Sequence, residues 1–165
     1  MSRIGLKTTI VFQESSDIKM DFVIEPLTSN FAYDVSIIEA ECFSTPFKES
    51  DILAYLKESY WHFFVARKGE EILGYISFTL IIDEISICNV AVSKKYRNQK
   101  IASNLINALL DFSKKNEVKR IFLEVRESNN PAIYLYEKFG FVRVGISKNH
   151  YTLPKENAIL MNLEI

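Results

Sequence analysis

A carboxylate and a phenol lie twelve positions apart in the second half of the chain and could together move protons. Glu124 stands inside the short apolar run 123–125, which predicts a strand, and Tyr136 falls in the helix predicted to follow. Taken singly, a strand glutamate is most often solvent-facing or paired, here with Arg126 or Arg120, and a helix tyrosine most often packs. On adjoining elements the two could serve one reaction as proton acceptor and proton donor.

Transfer of an acyl group from a thioester to an amine is a task that needs such a pair. The amine must lose a proton to attack, and the departing thiolate must gain one, so both groups are needed around the reacting carbon. Adjacent βα elements can direct a strand-end carboxylate and a helix phenol into one crevice, where α/β sheets tend to bind ligands. The pair therefore predicts an acid–base site for acyl transfer.

A basic strand-to-helix turn precedes this pair and could hold phosphates. It carries Arg97 and Lys100 between a predicted strand at 89–92 and an amphipathic helix that begins at Ile101. Free N–H groups and the helix dipole favour an anion at such a helix start. On its own this kind of turn is more often a solvated loop, so its interpretation depends on the neighbouring motifs.

Hydrophobic periodicity and turn residues predict the elements that must position these groups. A first helix carries Phe31, Val35, Ile38 and Cys42 and is expected to end at Pro46; a second carries Ile52, Leu53 and Leu56. The other expected elements are a strand at 21–27, a β-rich meander at 60–93, a strand at 120–125, a helix from Asn129-Asn130-Pro131 to Gly140, and closing strands at 141–146 and 158–163 around a loop at 148–157. This order predicts a single mixed α/β (α+β) domain over residues 20–165, preceded by an N-terminal extension at 1–19.

Composition narrows the function classes. The 165 residues are 48% hydrophobic, which suits one core, and 20 basic against 21 acidic residues give a net charge of −1. Such a balance offers no global attraction for nucleic acid or for an anionic membrane. Cys42 and Cys88 are far apart and lack a histidine cluster, so neither a metal site nor a disulfide is expected. No run approaches the ~20 apolar residues of a membrane span, and a cytoplasmic protein is expected.

Neither histidine is predicted to be catalytic, and the aromatic strand is predicted to be structural. His62 lies in an aromatic strand and His150 in the predicted polar loop, and neither shows the base-plus-orienter context of a catalytic triad. Trp61, Phe63 and Phe64 are expected to be core, because the basic residues that accompany stacking platforms in RNA-binding proteins are missing.

Several segments carry a family resemblance. They are Asn89-Val90-Ala91-Val92, the turn Arg97-x-x-Lys100-x-Ala102, LEVRESN at 123–129 and AIYLYEKFGF at 132–141, with weaker similarity at 42–50, at Asn149-His150-Tyr151 and at 158–161. They resemble the GNAT acetyltransferases and, more narrowly, the RimI type, the ribosomal-protein-alanine N-acetyltransferases.

The resemblance implies a fold, a cosubstrate and a set of roles. The fold would be a single-domain GNAT fold, with a mixed, mostly antiparallel sheet of about six to seven strands, about four flanking helices and splayed central strands. The cosubstrate would be acetyl-CoA, with no metal. Glu124 would be the general base and Tyr136 the general acid. The implied cofactor-binding residues are Val90, Ala91, Val92, Arg97, Asn98, Gln99, Lys100, Ile101, Ala102, Ser103 and Asn129, and the implied acceptor-binding residues are Pro46, Phe47, His150 and Tyr151.

One position departs from the family pattern. The family turn is written Q/R-x-x-G-x-G/A, and Lys100 replaces its first glycine. A side chain there could push the phosphate outward or require an ordinary helical conformation, and its charge could offset either effect. We expect coenzyme A binding that is weakened but retained.

The expected acceptor is a protein or peptide N-terminus, with the N-terminal alanine of a small-subunit ribosomal protein as the leading candidate. An α-amine, with a pKa of about 7.7 to 8.0, is partly neutral near pH 7, whereas lysine at about 10.4 is almost wholly charged. Three alternatives stay open: a small amine such as a polyamine or an amino-sugar antibiotic, a non-catalytic acyl-CoA sensor, and a plain interaction module. No direct nucleic-acid or membrane contact is expected, and the protein is expected to be a monomer or weak homodimer.

Overall fold

Seven strands and four helices make up most of residues 21–165, the part of the chain that the computed structural model describes. They are β1 (Val23–Pro26), α1 (Ala32–Cys42), α2 (Glu49–Tyr55), β2 (Trp61–Lys68), β3 (Glu71–Ile81), β4 (Glu84–Val92), α3 (Ile101–Lys115), β5 (Arg120–Arg126), α4 (Asn130–Lys138), β6 (Val142–Thr152) and β7 (Lys155–Glu164). Short 3-10 turns at Ser29–Phe31 and Lys94–Tyr96 precede α1 and α3. The predicted extension at 1–19 lies outside the described residues.

All strands join one sheet in the order β1-β2-β3-β4-β5-β7-β6. Every neighbouring pair is antiparallel except β4 and β5, which are parallel and pair only from Glu84 to Ser86 against Arg120 to Phe122. Beyond that point β4 remains paired with β3, and β5 remains paired with β7. The two central strands therefore diverge, and the predicted mostly antiparallel, splayed sheet with four helices is confirmed.

Two hydrophobic cores cover the two faces of the sheet. α3 and α4 pack on one face, where Leu105, Leu109 and Ile121 are fully buried. α1 and α2 pack on the other, around Val35 and Ile52. Each such buried aliphatic side chain stabilises the fold by about 1.5–3 kcal/mol. The faces of β5 follow from this division, because successive strand residues point to opposite sides.

α4 begins and ends where local signals predict. The Asn129 side chain caps it by accepting a hydrogen bond from the Ala132 N–H at 3.3 Å, and Pro131 lies in its first turn. Gly140 follows the helix at φ +90°, a conformation that residues with a Cβ rarely adopt. These signals set the limits of the helix, and the burial of Ile133 and Tyr136 shows which of its faces meets the core.

Two predicted boundaries were wrong. α1 ends at Cys42, four residues before Pro46, and Phe43 donates its N–H to the Glu39 carbonyl there. The predicted loop at 148–157 is instead a continuation of the β6–β7 hairpin, with Tyr151 paired to Glu156 and Thr152 to Lys155. β6 is exposed along almost its whole length. An edge strand of this kind needs no apolar face, so its polar sequence gave no strand signal.

Candidate functional site

A cavity of about 990 Å³ opens where β4 and β5 diverge. Its floor is formed by the two separating strands. One wall is the segment between α1 and α2, including Phe43 and Phe47, and the other is the end of the β6–β7 hairpin, including His150 and Tyr151. α4 closes the back with Tyr136. The site is therefore a groove between two loops that lies over a gap in the sheet.

Glu124 reaches this cavity from β5. It pairs with Leu160 across β7 and points away from the α3–α4 core, since its neighbours Leu123 and Val125 are buried there. Its side chain is 49% exposed, and its Oε2 lies 2.8 Å from the His150 Nε2. A carboxylate with one neighbour and open access keeps lone pairs available for a substrate proton.

Tyr136 reaches the same cavity from the opposite face of the sheet. It packs in the α3–α4 core and meets Phe141 edge-on, with ring centroids 5.5 Å apart. Only 7% of the residue is exposed, and burial raises the pKa of its phenol well above the ordinary value. Its proton is therefore retained throughout the physiological pH range, so the phenol is present as a potential proton donor at the cavity.

The divergence of the central strands lets groups from both faces meet. In a continuous sheet a residue on the α1–α2 face and one packed beneath α4 would be separated by the backbone layer. Here β4 and β5 lose their pairing after Ser86 and Phe122, and both Glu124 and Tyr136 border the resulting gap. The two residues identified from the sequence thus share one cavity.

Both cysteines also line the cavity, but neither is an activated nucleophile. Burial raises the pKa of the Cys88 thiol to about 11. Burial also raises the pKa of Cys42, although Arg97 partly opposes that effect. Because the thiolate is the reactive form, these thiols are poorly suited to forming an acyl-enzyme.

The residues proposed for binding fall into two groups. Those that line the cavity are Val90, Asn129, Phe47, His150 and Tyr151. Those outside its lining are Pro46, Ala91, Val92, Arg97, Asn98, Gln99, Lys100, Ile101, Ala102 and Ser103. The second group is almost wholly the end of β4 and the turn into α3, so the turn adjoins the cavity through β4 without forming its wall.

The turn into α3 keeps the backbone conformation that glycine would favour. Lys100 has φ +60° and ψ +14°, which is left-handed, and Asn98 has φ +62°. A side chain at position 100 was expected either to push the phosphate outward or to require an ordinary helical conformation. The second of these is therefore excluded. No side chain caps the start of α3. Its first N–H groups can thus face an anion.

Arg97 lies over the end of β4. Its Nε donates to the Val92 carbonyl at 3.5 Å, and its Nη2 lies 3.7 Å from the Cys42 sulfur. Beneath it, Gly74 permits close packing, because a Cβ there would lie 2.8 Å from the Ala91 carbonyl oxygen. The turn is thereby held against β3 and β4.

Arg126 holds the hairpin wall in place. Its guanidinium donates to the carbonyls of Leu153 and Pro154 and to Glu156, and it lies 4.1 Å from the Tyr151 ring centroid. Hydrogen bonds from Ser128 lower the pKa of Glu156. Burial, followed by the nearby Glu124 charge, raises the pKa of Tyr151. The hairpin tip is therefore fixed to β5 rather than free.

The two histidines, neither of which was predicted to have the base-plus-orienter context of a catalytic triad, have different surroundings. His62 stacks on Phe78 and contacts Phe112, and burial lowers its pKa. His150 lies on β6 rather than in a loop and contacts Glu124. Sequence analysis missed this contact because it depends on the hairpin extending beyond its predicted end.

Sequence analysis also missed Glu39, a fully buried carboxylate on α1. The signal was its position, since a helix places it beside Val35, Ile38 and Cys42 on the core-facing side. Across residues 21–165, no three His, Cys, Asp or Glu side chains are grouped to hold a metal ion. The helices of that same part of the chain are all too short or too polar to cross a membrane.

Comparison of sequences identifies relatives across most of the chain. A model of the Acetyltransferase (GNAT) family matches residues 32–141. A Bacillus subtilis (strain 168) protein is 37% identical over 125 residues, which cover 75% of this chain and 83% of that protein. The ribosomal protein bS18-alanine N-acetyltransferase of Escherichia coli (strain K12) is 33% identical over 130 residues, covering 78% of this chain and 87% of the relative.

Solved structures show the same fold. The crystal structure of the ribosomal-protein-S18-alanine N-acetyltransferase from Escherichia coli matches with a TM-score of 0.81 at 29% identity, covering 87% of this chain and 94% of the other. A GNAT family acetyltransferase from Elizabethkingia anophelis with acetyl-CoA bound matches with a TM-score of 0.72 at 23% identity, covering 89% and 100%. The second likeness concerns the fold alone.

Proposed function

The chain belongs to the acetyltransferase (GNAT) family, and from that premise we propose that it transfers the acetyl group of acetyl-CoA to the N-terminal α-amine of a protein. The observation that carries the proposal is the meeting of Glu124 and Tyr136 at one cavity, reached from opposite faces of a splayed sheet. A carboxylate and a retained phenol proton on the two sides of a gap suit attack by an amine and departure of a thiolate.

The residues around the cavity fit acetyl-CoA. Past Ser86, β4 has no partner on its β5 side among residues 21–165, so backbone groups near Val90 are available to pair with the amides of an extended pantetheine arm. The start of α3, with Arg97 and Lys100 beside it, would hold the pyrophosphate. When bound, acetyl-CoA supplies a thioester whose carbonyl carbon an amine can attack.

Glu124 and Tyr136 would then carry the proton transfers. Glu124 accepts a proton from the α-ammonium group, directly or through one water, which frees the nitrogen lone pair to form the new amide bond. As the carbon–sulfur bond breaks, Tyr136 donates its proton to the thiolate of coenzyme A, and the second proton that the nitrogen loses on becoming an amide returns to the tyrosinate through water. Acetylated amine and free coenzyme A result, and the raised pKa values of Cys42 and Cys88 favour this direct route over a cysteine-bound acetyl group.

A peptide suits the cavity better than a polyamine. Glu124 is the one acidic residue in the cavity lining formed by residues 21–165, and it is accompanied by Arg126. A polycation would require several carboxylates along the groove. The groove between the Phe47 segment and the His150 hairpin instead offers apolar and aromatic walls, which can receive a chain terminus and its first side chains.

The proposed acceptor is the N-terminal alanine of ribosomal protein bS18. The support is the activity named for the Escherichia coli relative, whose sequence and structure both match most of this chain. An α-amine is also the easier nucleophile, since its pKa of about 7.7 to 8.0 leaves more of it neutral than lysine at about 10.4.

Mass spectrometry of acceptor mixtures tests this function. The protein is incubated with acetyl-CoA and three acceptors: a peptide with the bS18 N-terminal sequence, the same peptide with a blocked N-terminus and an added lysine, and spermidine. We expect one acetyl group on the α-amine of the first and far slower reaction of the others. Preferential modification of spermidine would contradict the proposal, and acetyl-CoA binding without any product would favour a sensor.

A further inference from the structure

Glu39 is a buried carboxylate held by three hydrogen-bond donors from three different elements. It lies on α1 with no exposed surface. Its Oε2 accepts from the Phe47 N–H at 3.0 Å, and its Oε1 accepts from the Asn89 Nδ2 at 2.7 Å and from the Tyr75 hydroxyl. Burial raises the pKa of Glu39, while the hydrogen bonds from Phe47 and Asn89 oppose that rise.

Two of these donors belong to the cavity and the third does not. Phe47 lies in its outer wall, and Asn89 lies in its floor on β4. Asn89 directly follows the irregularity where Phe78 pairs with Ile87 but Ser77 pairs with Asn89, which leaves Cys88 as the extra residue. Tyr75, on β3, is part of the core beneath α1. Glu39 thus joins one wall of the cavity to its floor.

The wall has few other constraints on its backbone. Among the hydrogen bonds within residues 21–165, the one from Phe47 to Glu39 is the single bond that involves residues 44–47. A buried carboxylate also stabilises a core poorly, because taking the charge out of water costs free energy. Replacing such a group with a packed apolar residue often leaves the stability of the fold unchanged or raises it. Core packing alone therefore does not account for a glutamate at this position.

We infer that Glu39 is a positioning residue that sets the acceptor side of the cavity by tying the Phe47 segment to Asn89. The inference rests on the proposed function, because it assigns Phe47 to the groove that receives the peptide N-terminus. Glu39 touches neither the acceptor nor acetyl-CoA. It acts through the two residues that it holds, so its loss should change acceptor affinity more than the rate of the chemical step.

The chain contains a reporter for this wall that does not depend on activity. Trp61 is its single tryptophan. The Trp61 ring stacks on Tyr55 at 3.9 Å and lies 6.3 Å from Phe47, which itself meets Tyr55 edge-on at 5.2 Å. Movement of the Phe47 segment should therefore change the emission of Trp61.

Three variants separate positioning from general stability. Glu39→Met removes both acceptors and keeps a similar length. Glu39→Gln keeps one acceptor, which can still receive the Phe47 N–H while its amide meets Tyr75 or a rotated Asn89. Tyr75→Phe removes the donor that does not belong to the cavity and serves as the control for losing a buried hydrogen bond.

For each variant we would measure kcat and KM for the peptide, the Kd of acetyl-CoA, Trp61 emission and the melting temperature. Glu39→Met should raise the peptide KM by about tenfold or more, change kcat less than about threefold, leave the Kd of acetyl-CoA within about twofold and shift Trp61 emission. Glu39→Gln should recover most of the KM. Tyr75→Phe should lower the melting temperature without changing KM or emission.

Specific results would overturn the inference. The first is an unchanged peptide KM in Glu39→Met, and the second is a rise in KM in Tyr75→Phe that equals the rise in Glu39→Met. The third is that kcat, KM and acetyl-CoA binding of Glu39→Met change only as the fraction of folded protein changes. If Glu39→Met does not fold, Asn89→Ala takes its place and must raise KM and shift Trp61 emission. A wild-type protein that acetylates no peptide would contradict the proposed function. Trp61 emission would still test whether Glu39 holds the Phe47 segment to Asn89.

Discussion

A glutamate lies beside each of the two walls of the cavity, but the two carboxylates have opposite surroundings. Glu39, behind the α1–α2 wall, is fully buried and receives three hydrogen bonds. Glu124, by the hairpin wall, is half exposed and has His150 as its neighbour. A carboxylate with no exposed surface is out of reach of a substrate amine, whereas a half-exposed one is accessible to it. These surroundings fit the two proposals, in which Glu39 positions one wall and Glu124 accepts the substrate proton beside the other.

Glu124→Gln should have the largest effect on activity. Loss of a general base typically lowers the rate by about 10²- to 10⁴-fold, and we expect kcat to fall within that range with the Kd of acetyl-CoA unchanged. Turnover assays and calorimetric titration measure the two quantities. Glu137→Gln is the control, because Glu137 is exposed, pairs with Arg143 and lies outside the cavity lining. Equal losses of binding and turnover in Glu124→Gln would assign Glu124 a structural role.

Tyr136→Phe should follow, with a fall in kcat of about 10²-fold. Burial raises the pKa of Tyr136, so the phenol stays protonated as pH rises and its contribution is lost only above the ordinary tyrosine value of about 10. The ratio of wild-type to variant kcat should therefore stay constant from about pH 6 to pH 9. A ratio that falls toward one as pH approaches 9 would show that the phenol has a lowered pKa and is not held as this structure indicates.

His150→Phe should have a smaller effect, lowering kcat/KM by less than about tenfold, because it removes a polar contact of Glu124 at a partly exposed site. His150→Gln can still donate an N–H to Glu124 and should behave more like the wild type. Steady-state kinetics on both variants make the comparison. If the Gln variant loses as much as the Phe variant, the contact with Glu124 is not what His150 contributes.

Lys100→Gly should give the smallest change and a gain. A left-handed backbone costs a residue with a Cβ about 1 kcal/mol relative to glycine, so the variant should melt a few degrees higher. Acetyl-CoA should bind a few times more tightly, because glycine allows closer approach of the phosphate. Lys95→Gly, at a neighbouring basic residue with an ordinary backbone, should show neither gain. Weaker acetyl-CoA binding in Lys100→Gly would mean that the lysine charge outweighs the close approach.

Local sequence signals predicted most of the elements and two of the residues at the site. Asn129, Pro131 and Gly140 set the limits of α4, and alternating apolar residues placed Glu124 on the solvent side of β5. Capping and periodicity act over a few residues, so they can be read directly from the chain. The same reasoning failed at the end of β6, where an exposed strand has no hydrophobic period, and at Cys42, where α1 ends without a breaker.

By itself, the sequence determined which residues could donate and accept protons and on which elements they lie. Only the tertiary structure decided that β4 and β5 part, that Glu124 and Tyr136 line one cavity at the gap, that His150 reaches Glu124, and that Glu39 is buried. Each of these facts depends on contacts between segments distant in the chain. Such contacts are set by the packing of whole elements against one another, and no local pattern of residue types records them.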